Sequence, residues 1–330
     1  MTNIPLLPLS FAVILISLLI TVIVERRLIP WLSSSAEQPI YEGGPSWHIC
    51  KKGTPTMGGL AFIPAILLPL LLCGFISFAS GDDREAISMI ISLIFIVASS
   101  LIGIFDDALK LMRKRNGGLT PMQKLLLQSL VTLIFLMARG HFLSDNSIIA
   151  IANIEFDLGL LYYPFAILLS LGVVNCANLT DGVDGLASSV SLSAAVAFLF
   201  IGLASGAFAV SGLASALIGC SAGFLVFNRH PAKIFMGDTG SLMLGAVGVS
   251  LAFASQNPAS ILFMGGVYVI EGISVILQVI VYKLTGRRLF KMAPLHHHLE
   301  KCGYSENTIC IMAVVLTFTL SAIGILVLRF

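Results

Sequence analysis

Ten long apolar runs, separated by short polar segments, constrain this chain more than any single motif does. A helix of about 20 apolar residues crosses the hydrocarbon core of a bilayer. Only 11% of the 330 residues are charged, whereas about one quarter are charged in a soluble domain. We therefore expect an all-α integral membrane protein of about ten transmembrane helices, with residues 1–330 forming a single membrane domain. The runs cover residues 6–24, 57–79, 86–105, 122–139, 160–177, 187–204, 207–227, 240–255, 259–282 and 309–328.

The basic residues are distributed unevenly between the two sides of this arrangement. All Lys and Arg residues except Arg84, Arg139 and Arg329 follow the first, third, fifth, seventh or ninth run. Loops rich in Lys and Arg stay in the cytoplasm. The sequence therefore predicts five cytoplasmic loops and extracytoplasmic positions for both termini.

Two adjacent aspartates, Asp106 and Asp107, follow the third run, and Lys110 comes one turn later. The dipole of a helix disfavours carboxylates at its C-terminal end, and each would cost about 2.5–3.5 kcal/mol at the centre of a bilayer. We expect both to face water, a cation or a ligand. An acidic pair is suited to hold Mg²⁺ or to take a proton from an attacking group. The alternative is a solvated helix end.

The loop after the fifth run combines amide and carboxylate side chains with glycines. Glycine lets backbone approach a ligand closely, and Asn and Asp supply oxygen atoms to it. We interpret this loop as the floor of a phosphate and metal site. Its candidate residues are Asn175, Asn178, Asp181 and Asp184.

Two further loops contain residues with two possible roles each. Asp238 follows Gly237 at the start of the eighth run, where it could cap the helix or bind a metal. Lys51 and Thr56 precede the second run in a turn rich in Gly and Thr, which could be a flexible loop or could hold phosphate at a helix N-terminus. The sequence leaves these alternatives open.

Three consecutive histidines, His296 to His298, lie in the last basic loop near Arg287 and Arg288. Adjacent side chains on a helix project about 100° apart, so the three histidines cannot all bind one metal ion without strain. A zinc site is therefore the weaker interpretation. A donor set for a diphosphate fits better. Glu271 in the ninth run is also a functional candidate, because a carboxylate exposed to lipid is costly. The nearby glycines could allow a break or bend in that helix, or could serve only to pack it against small residues.

The convergence of these loops on one face favours a shared site. It suits a cytosolic anionic substrate and Mg²⁺ acting next to the bilayer, with a lipid as second reactant. Phosphoryl transfer fits best. A transporter is a remote alternative, since it should carry its polar residues within the spans and show paired repeats.

Five motifs together resemble the phospho-N-acetylmuramoyl-pentapeptide transferases, translocase I of peptidoglycan synthesis, over nearly the whole chain. The aspartates and the Asn/Asp loop are shared with the wider polyprenyl-phosphate sugar-1-phosphate transferase superfamily. The triple histidine and the Gly-Thr-Pro-Thr-Met-Gly-Gly turn point to the muramoyl branch. The motifs are His48 to Gly59, Asp106 and Asp107 with Lys110, Asn175 to Ala187, Phe235 to Ser241, and Pro294 to Glu300.

The resemblance implies transfer of phospho-MurNAc-pentapeptide from UDP-MurNAc-pentapeptide to undecaprenyl phosphate, giving lipid I and UMP, with Mg²⁺ as cofactor. It also implies a bacterial cytoplasmic membrane, an active site facing the cytoplasm, a homodimer and a bent ninth span that forms a lipid groove. No nucleic-acid partner is expected. A sister transferase that uses UDP-N-acetylglucosamine is the nearest alternative, and direct attack and a covalent aspartyl intermediate both stay open.

The resemblance also assigns roles to single residues. Asp238 becomes the expected Mg²⁺ ligand, and Asp106 and Asp107 are the candidates for deprotonating or positioning the lipid phosphate. Lys110 and Phe235 would help to hold the uridine. The other expected substrate-binding residues are Lys51, Thr56, Asn175, Asn178, Asp181, Asp184, Gly237, His296, His297 and His298.

Overall fold

The computed structural model describes residues 5–33, 51, 53–113, 117–144, 147–151 and 154–328. Within these ranges, ten helices are long and apolar enough to cross a membrane, and they confirm the ten predicted runs. They are α1 (Leu6–Ser33), α2 (Phe62–Ala79), α3 (Asp83–Arg113), α4 (Pro121–Leu143), α5 (Tyr162–Thr180), α6 (Leu186–Ser205), α7 (Phe208–Asn228), α8 (Gly237–Ala254), α10 (Gly266–Thr285) and α12 (Glu306–Val327). Two shorter helices are α9 (Ile261–Met264) and α11 (Leu295–Lys301).

Helix α8 lies at the centre of the structure, and 89% of its residues are buried. Its glycines allow this packing: a Cβ atom on Gly245 would lie 2.7 Å from Cα of Val174 in α5. Small residues let membrane helices approach closely. In contrast, only 22% of the residues in the most apolar 18-residue stretch of α1 are buried, and 28% of those in α12. The apolar outer faces of these two helices are therefore available to lipid. The candidate metal ligand Asp238 therefore lies on the most buried helix.

Helix α3 continues to Arg113, beyond the predicted end of its run at residue 105. Asp106, Asp107 and Lys110 thus lie within α3 and not beyond its end. Lys110 stabilises this extension, since its ammonium group lies 2.7 Å from Asp106 one turn earlier. The reason for the difference is that the prediction counted apolar residues only, whereas i,i+4 ion pairs also support a helix.

The ninth run is divided into two helices, which is one of the two outcomes that its glycines allow. Helix α9 ends at Met264, and α10 begins at Gly266. A Cβ atom on Gly265 would lie 2.9 Å from the carbonyl oxygen of Ile261, so a larger residue is disfavoured at the break. The break separates α9 from the helix that carries Glu271.

A small antiparallel hairpin is the one departure from an all-α fold in the described residues. Strand β1 (Ile148–Ile151) pairs with β2 (Ile154–Asp157), and Ile149 lies opposite Phe156. Ile149, Ile151, Ile154 and Phe156 alternate with polar or small residues, a pattern that predicts a β-hairpin. The turn expected near Asn153 lies outside the described residues. It connects α4 with α5 and is at the end of the molecule away from the site described below.

Candidate active site

Asp107 connects helix α3 with the N-terminus of α8. Its Oδ2 atom accepts hydrogen bonds from the backbone N–H of Thr239 at 2.9 Å and from the Thr239 hydroxyl at 2.8 Å. Its Oδ1 atom accepts a bond from the backbone N–H of Asp238 at 3.2 Å. The first N–H groups of a helix have no partner within the helix, and the helix dipole favours a negative charge there. Asp107 therefore caps α8 from another helix.

Asp238 is not the cap of its own helix, so that alternative is wrong. The N-cap residue of α8 is Met236, which makes no side-chain cap, and Asp238 lies in the first turn. Its carboxylate is free to point elsewhere: Oδ2 lies 3.0 Å from Nζ of Lys110 and 2.6 Å from Nζ of Lys124. The role left for the Asp238 side chain is to bind cations.

Three carboxylates meet between α3 and α8. Asp106, Asp107 and Asp238 each offer an oxygen atom within 4.8 Å of the others. The ammonium group of Lys110 lies 2.7 Å from Asp106, 3.5 Å from Asp107 and 3.0 Å from Asp238. Such a set of carboxylate oxygens is the chemistry that Mg²⁺ prefers. The residues present therefore fit a divalent cation. Together with Lys110, the cation would neutralise the negative charge of the three carboxylates.

Glycines make this close arrangement possible. A Cβ atom on Gly103 would lie 2.3 Å from the backbone oxygen of Asp238, and one on Gly118 would lie 2.5 Å from Oδ1 of Asp106. Real Cβ atoms do not approach so closely. The backbone of Leu119, next to Gly118, also donates a hydrogen bond to Asp106 at 2.7 Å.

Lys124 is a site residue that sequence reasoning missed, because it was counted only as a basic residue of a cytoplasmic loop. The signal was available in a capping box, in which Thr120 accepts a hydrogen bond from the backbone of Gln123 and the Gln123 side chain accepts one from the backbone of Thr120. This pattern marks a helix start and places Lys124 in the first turn of α4. From there its ammonium group reaches Asp238.

Two residues of the predicted Asn/Asp loop, Asn175 and Asn178, lie on the last two turns of α5, so the loop prediction is wrong for them. Their side chains bond to different partners. Asn178 donates hydrogen bonds to Asp238 at 2.8 Å and to Ser241 at 2.7 Å, so it belongs to the carboxylate cluster. Asn175 instead bonds to Gln128 of α4 at 2.8 Å. The end of α5 is thus attached to both α4 and α8.

Asp181 follows α5 directly and is half-buried. Burial raises its pKa well above the ordinary value, and the nearby carboxylates of Asp238, Asp107 and Asp184 raise it further, while Lys51 opposes them. The side chain therefore lies in a strongly negative region. A bound cation there would favour its charged form.

A second cluster joins Lys51, Asp184, His230 and Glu306. The Lys51 ammonium group lies 2.7 Å from Asp184 and 2.8 Å from Glu306, and Nδ1 of His230 lies 3.0 Å from Asp184. Burial lowers the pKa of Lys51, but the hydrogen bonds and charges of the two carboxylates outweigh it, and the pKa is raised. His230 and Glu306 were not predicted, since no local pattern shows that distant segments will meet.

The Gly-rich turn before α2 is bonded to the segment that precedes α8. The backbone N–H of Phe235 donates to the carbonyl of Pro55 at 2.9 Å, and that of Gly58 donates to the carbonyl of Phe235 at 2.9 Å. Gly237 has a positive φ of 68°, and a Cβ atom there would lie 2.5 Å from Asp107 and 3.1 Å from the hydroxyl of Thr56. Thr56 and Gly237 thus border Asp107. His48 to Cys50 and Lys52 of the same motif lie outside the described residues.

The three histidines bond to three different partners. His296 is fully buried and lies 3.2 Å from Glu271 of α10, and its Nε2 is 2.3 Å from where a Cβ atom on Gly182 would stand. His297 lies 2.6 Å from Glu300, and His298 accepts a hydrogen bond from the backbone of Lys291 at 3.1 Å. The backbone N–H of His296 donates a hydrogen bond to Glu271 at 3.3 Å, which joins α11 to α10. The buried imidazole packs against Gly182, and neither of its nitrogens has a hydrogen-bond partner among the described residues.

These contacts define a class of protein: an integral membrane protein with a cluster of carboxylates and lysines at the ends of its helices, suited to phosphate chemistry. The model of the glycosyl transferase family 4 matches residues 88–256, which include all three carboxylates. A phospho-N-acetylmuramoyl-pentapeptide-transferase signature matches residues 51–63, the turn that borders Asp107.

Curated relatives specify the family further. The chain is 42% identical to a phospho-N-acetylmuramoyl-pentapeptide-transferase of Halalkalibacterium halodurans, over 89% of this chain and 89% of the relative. It is 40% identical to that of Clostridium botulinum, over 88% of this chain and 87% of the relative. It is 39% identical to the phospho-N-acetylmuramoyl-pentapeptide-transferase of Bacillus cytotoxicus, over 94% of this chain and 95% of the relative. The chain belongs to the phospho-N-acetylmuramoyl-pentapeptide transferase family.

Proposed function

We propose that this protein transfers phospho-MurNAc-pentapeptide from UDP-MurNAc-pentapeptide to undecaprenyl phosphate, giving lipid I and UMP, the first membrane step of peptidoglycan synthesis. The observation that carries the proposal is the cluster of Asp106, Asp107 and Asp238 around Lys110. Family membership and the matched signature give the muramoyl donor. In the overall reaction a bond forms between an oxygen of the lipid phosphate and the β-phosphorus of the donor, and the bond between the β-phosphorus and the oxygen of the UMP group breaks.

In this proposal Asp238, with Asp106 and Asp107, would hold Mg²⁺. The metal, when bound, would neutralise diphosphate charge and stabilise the leaving UMP. Asp106 and Asp107 position the lipid phosphate or take its proton, if it arrives protonated. The hydrogen bonds from α8 to Asp107 fix its distance from Asp238, so the acceptor and the donor diphosphate are held close together.

The lysines supply positive charge at the place where phosphate charge must be stabilised. Lys110 and Lys124 both contact Asp238, and fixed cations next to a transferring phosphoryl group lower the barrier. Lys110 and Phe235 also hold the uridine. The remaining substrate contacts belong to Lys51, Thr56, Asn175, Asn178, Asp181, Asp184, Gly237, His296, His297 and His298.

The same proposal includes the setting of the reaction. The carboxylate end of the molecule faces the cytoplasm of a bacterium, because the basic loops lie at that end, and both termini are extracytoplasmic. Five cytoplasmic loops form the active site within one membrane domain. The protein acts as a homodimer in the cytoplasmic membrane, and the broken ninth span provides a groove for the lipid acceptor.

A donor comparison tests the substrate assignment. The purified protein, supplied with Mg²⁺ and undecaprenyl phosphate, should release UMP from UDP-MurNAc-pentapeptide and not from UDP-N-acetylglucosamine. The reverse preference would assign the chain to the sister transferases and contradict the proposal. A variant with Lys110→Gln should lose the release with either donor, since it removes the cation shared by all three carboxylates.

A further inference from the structure

A groove of about 650 Å³ lies outside the carboxylate cluster. Its walls come from α7, through Leu225 and Val226, and from α12, through Cys310 and Ile311; Ser189 of α6 also lines it. Val226 is 54% exposed and Ile311 is 64% exposed. Both belong to helices that cross the membrane, so the walls of the groove are open to acyl chains.

One end of this groove is basic. Arg229 and Lys233, in the segment between α7 and α8, line it and are exposed. Neither side chain forms an ion pair or hydrogen bond within the part of the chain that the structure describes. Two cationic groups at the end of an apolar groove, where membrane helices finish, are complementary to an anionic head group with an apolar tail.

The acidic residue that lines the groove does not oppose such a ligand. Asp184 is only 4% exposed, and its Oδ1 is paired with Lys51 at 2.7 Å. Its Oδ2 lies 3.0 Å from Nδ1 of His230 and accepts a hydrogen bond from the backbone N–H of Ala232 at 3.0 Å. The negative charge of Asp184 is therefore satisfied, whereas Arg229 and Lys233 remain available.

We propose that this groove binds an anionic glycerophospholipid. The phosphodiester is held by Arg229 and Lys233, and an acyl chain lies between α7 and α12 against Val226 and Ile311. The ligand is not the acceptor of the transfer reaction, because none of the three clustered carboxylates lines the groove. The site is thus a binding site for a lipid that is not consumed, and its existence does not depend on the proposed function.

Binding of defined lipids to the full-length protein in detergent tests this proposal. Native mass spectrometry can compare phosphatidylglycerol with phosphatidylcholine of identical acyl chains. We expect preferential binding of phosphatidylglycerol to one site. In an Arg229→Gln/Lys233→Gln variant, its affinity should fall about thirtyfold, since each basic side chain near a membrane surface contributes about fivefold. Arg26→Gln/Arg27→Gln is the matched control, because it removes two exposed charges at the end of α1 and should leave affinity unchanged.

A second variant tests the apolar part of the groove without changing charge. Val226→Trp fills the space between the walls and should reduce phosphatidylglycerol binding by about tenfold or more, while an unchanged thermal unfolding temperature reports correct folding. Equal binding of phosphatidylcholine, an equal loss in the Arg26/Arg27 control, or unchanged affinity in the Arg229/Lys233 variant would overturn the proposal. So would displacement of the lipid by millimolar inorganic phosphate, or exclusive binding of undecaprenyl phosphate, which would make the groove a free-phosphate or acceptor site.

Discussion

The carboxylate of Asp107 caps the helix on which Asp238 stands, through hydrogen bonds from the backbone of Asp238 and Thr239. Two residues 131 positions apart in sequence are thereby held in fixed relation at the end of the most buried helix. The site does not depend on flexible loops for its central distance.

Substitution of Asp107 should separate its structural role from its chemical one. Asp107→Asn keeps one of the two oxygen acceptors and turns its amide nitrogen towards a backbone N–H of α8, so it should lower the thermal unfolding temperature, but less than Asp107→Ala does. UMP release should fall by about a hundredfold or more because the charge is lost. Asp107→Ala removes the cap as well and should cost about 0.5–2 kcal/mol of stability. Thermal unfolding and UMP release measured on both variants check this. Equal stability of the Asn and Ala variants would contradict the capping role.

Gly103 should not tolerate a methyl group. A Cβ atom there would lie 2.3 Å from the backbone oxygen of Asp238, so Gly103→Ala must push α3 away from α8 and enlarge the carboxylate cluster. Overpacking of this kind costs about 1–3 kcal/mol, and we expect most of the activity to be lost.

Gly172→Ala is the matched control for this substitution. Gly172 also lies inside a membrane helix, but no atom is within 4 Å of the position of its Cβ. The activity and thermal unfolding temperature of the Gly172→Ala variant should match those of the unsubstituted protein. Full activity of Gly103→Ala would show that the close approach of α3 and α8 is not required.

Lys124 should affect metal binding and turnover in opposite directions. Its ammonium group lies 2.6 Å from Asp238, so Lys124→Gln removes a positive charge next to the expected metal. The Mg²⁺ concentration for half-maximal activity should fall, because a competing cation is gone, while kcat falls by at least tenfold. A titration of activity with Mg²⁺ measures both. An unchanged kcat would exclude Lys124 from the reaction.

Glu306 should be important for the second cluster and not for the first. It is bonded to Lys51 at 2.8 Å and to the backbone of Asp184 at 2.8 Å. Glu306→Gln weakens a hydrogen bond to a charged group, which costs about 1–3 kcal/mol, and frees Lys51. We expect a lower thermal unfolding temperature and a changed KM for the nucleotide donor, with the Mg²⁺ dependence unchanged. A shift in Mg²⁺ dependence alone would contradict the separation of the two clusters.

The sequence predicted the number of membrane helices because apolar runs report burial in lipid directly. It also selected Asp106 and Asp107 as candidates, since carboxylates in a membrane are costly, whereas the metal role of Asp238 came from the family resemblance. The structure brings all three together. It could not show that Asp107 caps α8, because the partners of a side chain across the fold have no local signature.

For the same reason His230 and Glu306 were missed, and Lys124 was interpreted only as a topological charge. The length of α3 was underestimated because the apolar pattern ends before the helix does. In each case the missing information was an interaction between segments that are distant in the sequence.

The requirement for Asp238 tests the central claim most directly. UMP release from UDP-MurNAc-pentapeptide should require both undecaprenyl phosphate and Mg²⁺, and Asp238→Ala should abolish it while the protein stays monodisperse and folded. Mg²⁺ should also raise the thermal unfolding temperature of the unsubstituted protein and not that of the variant. Metal-dependent release that persists in Asp238→Ala would contradict the placement of the metal at this cluster.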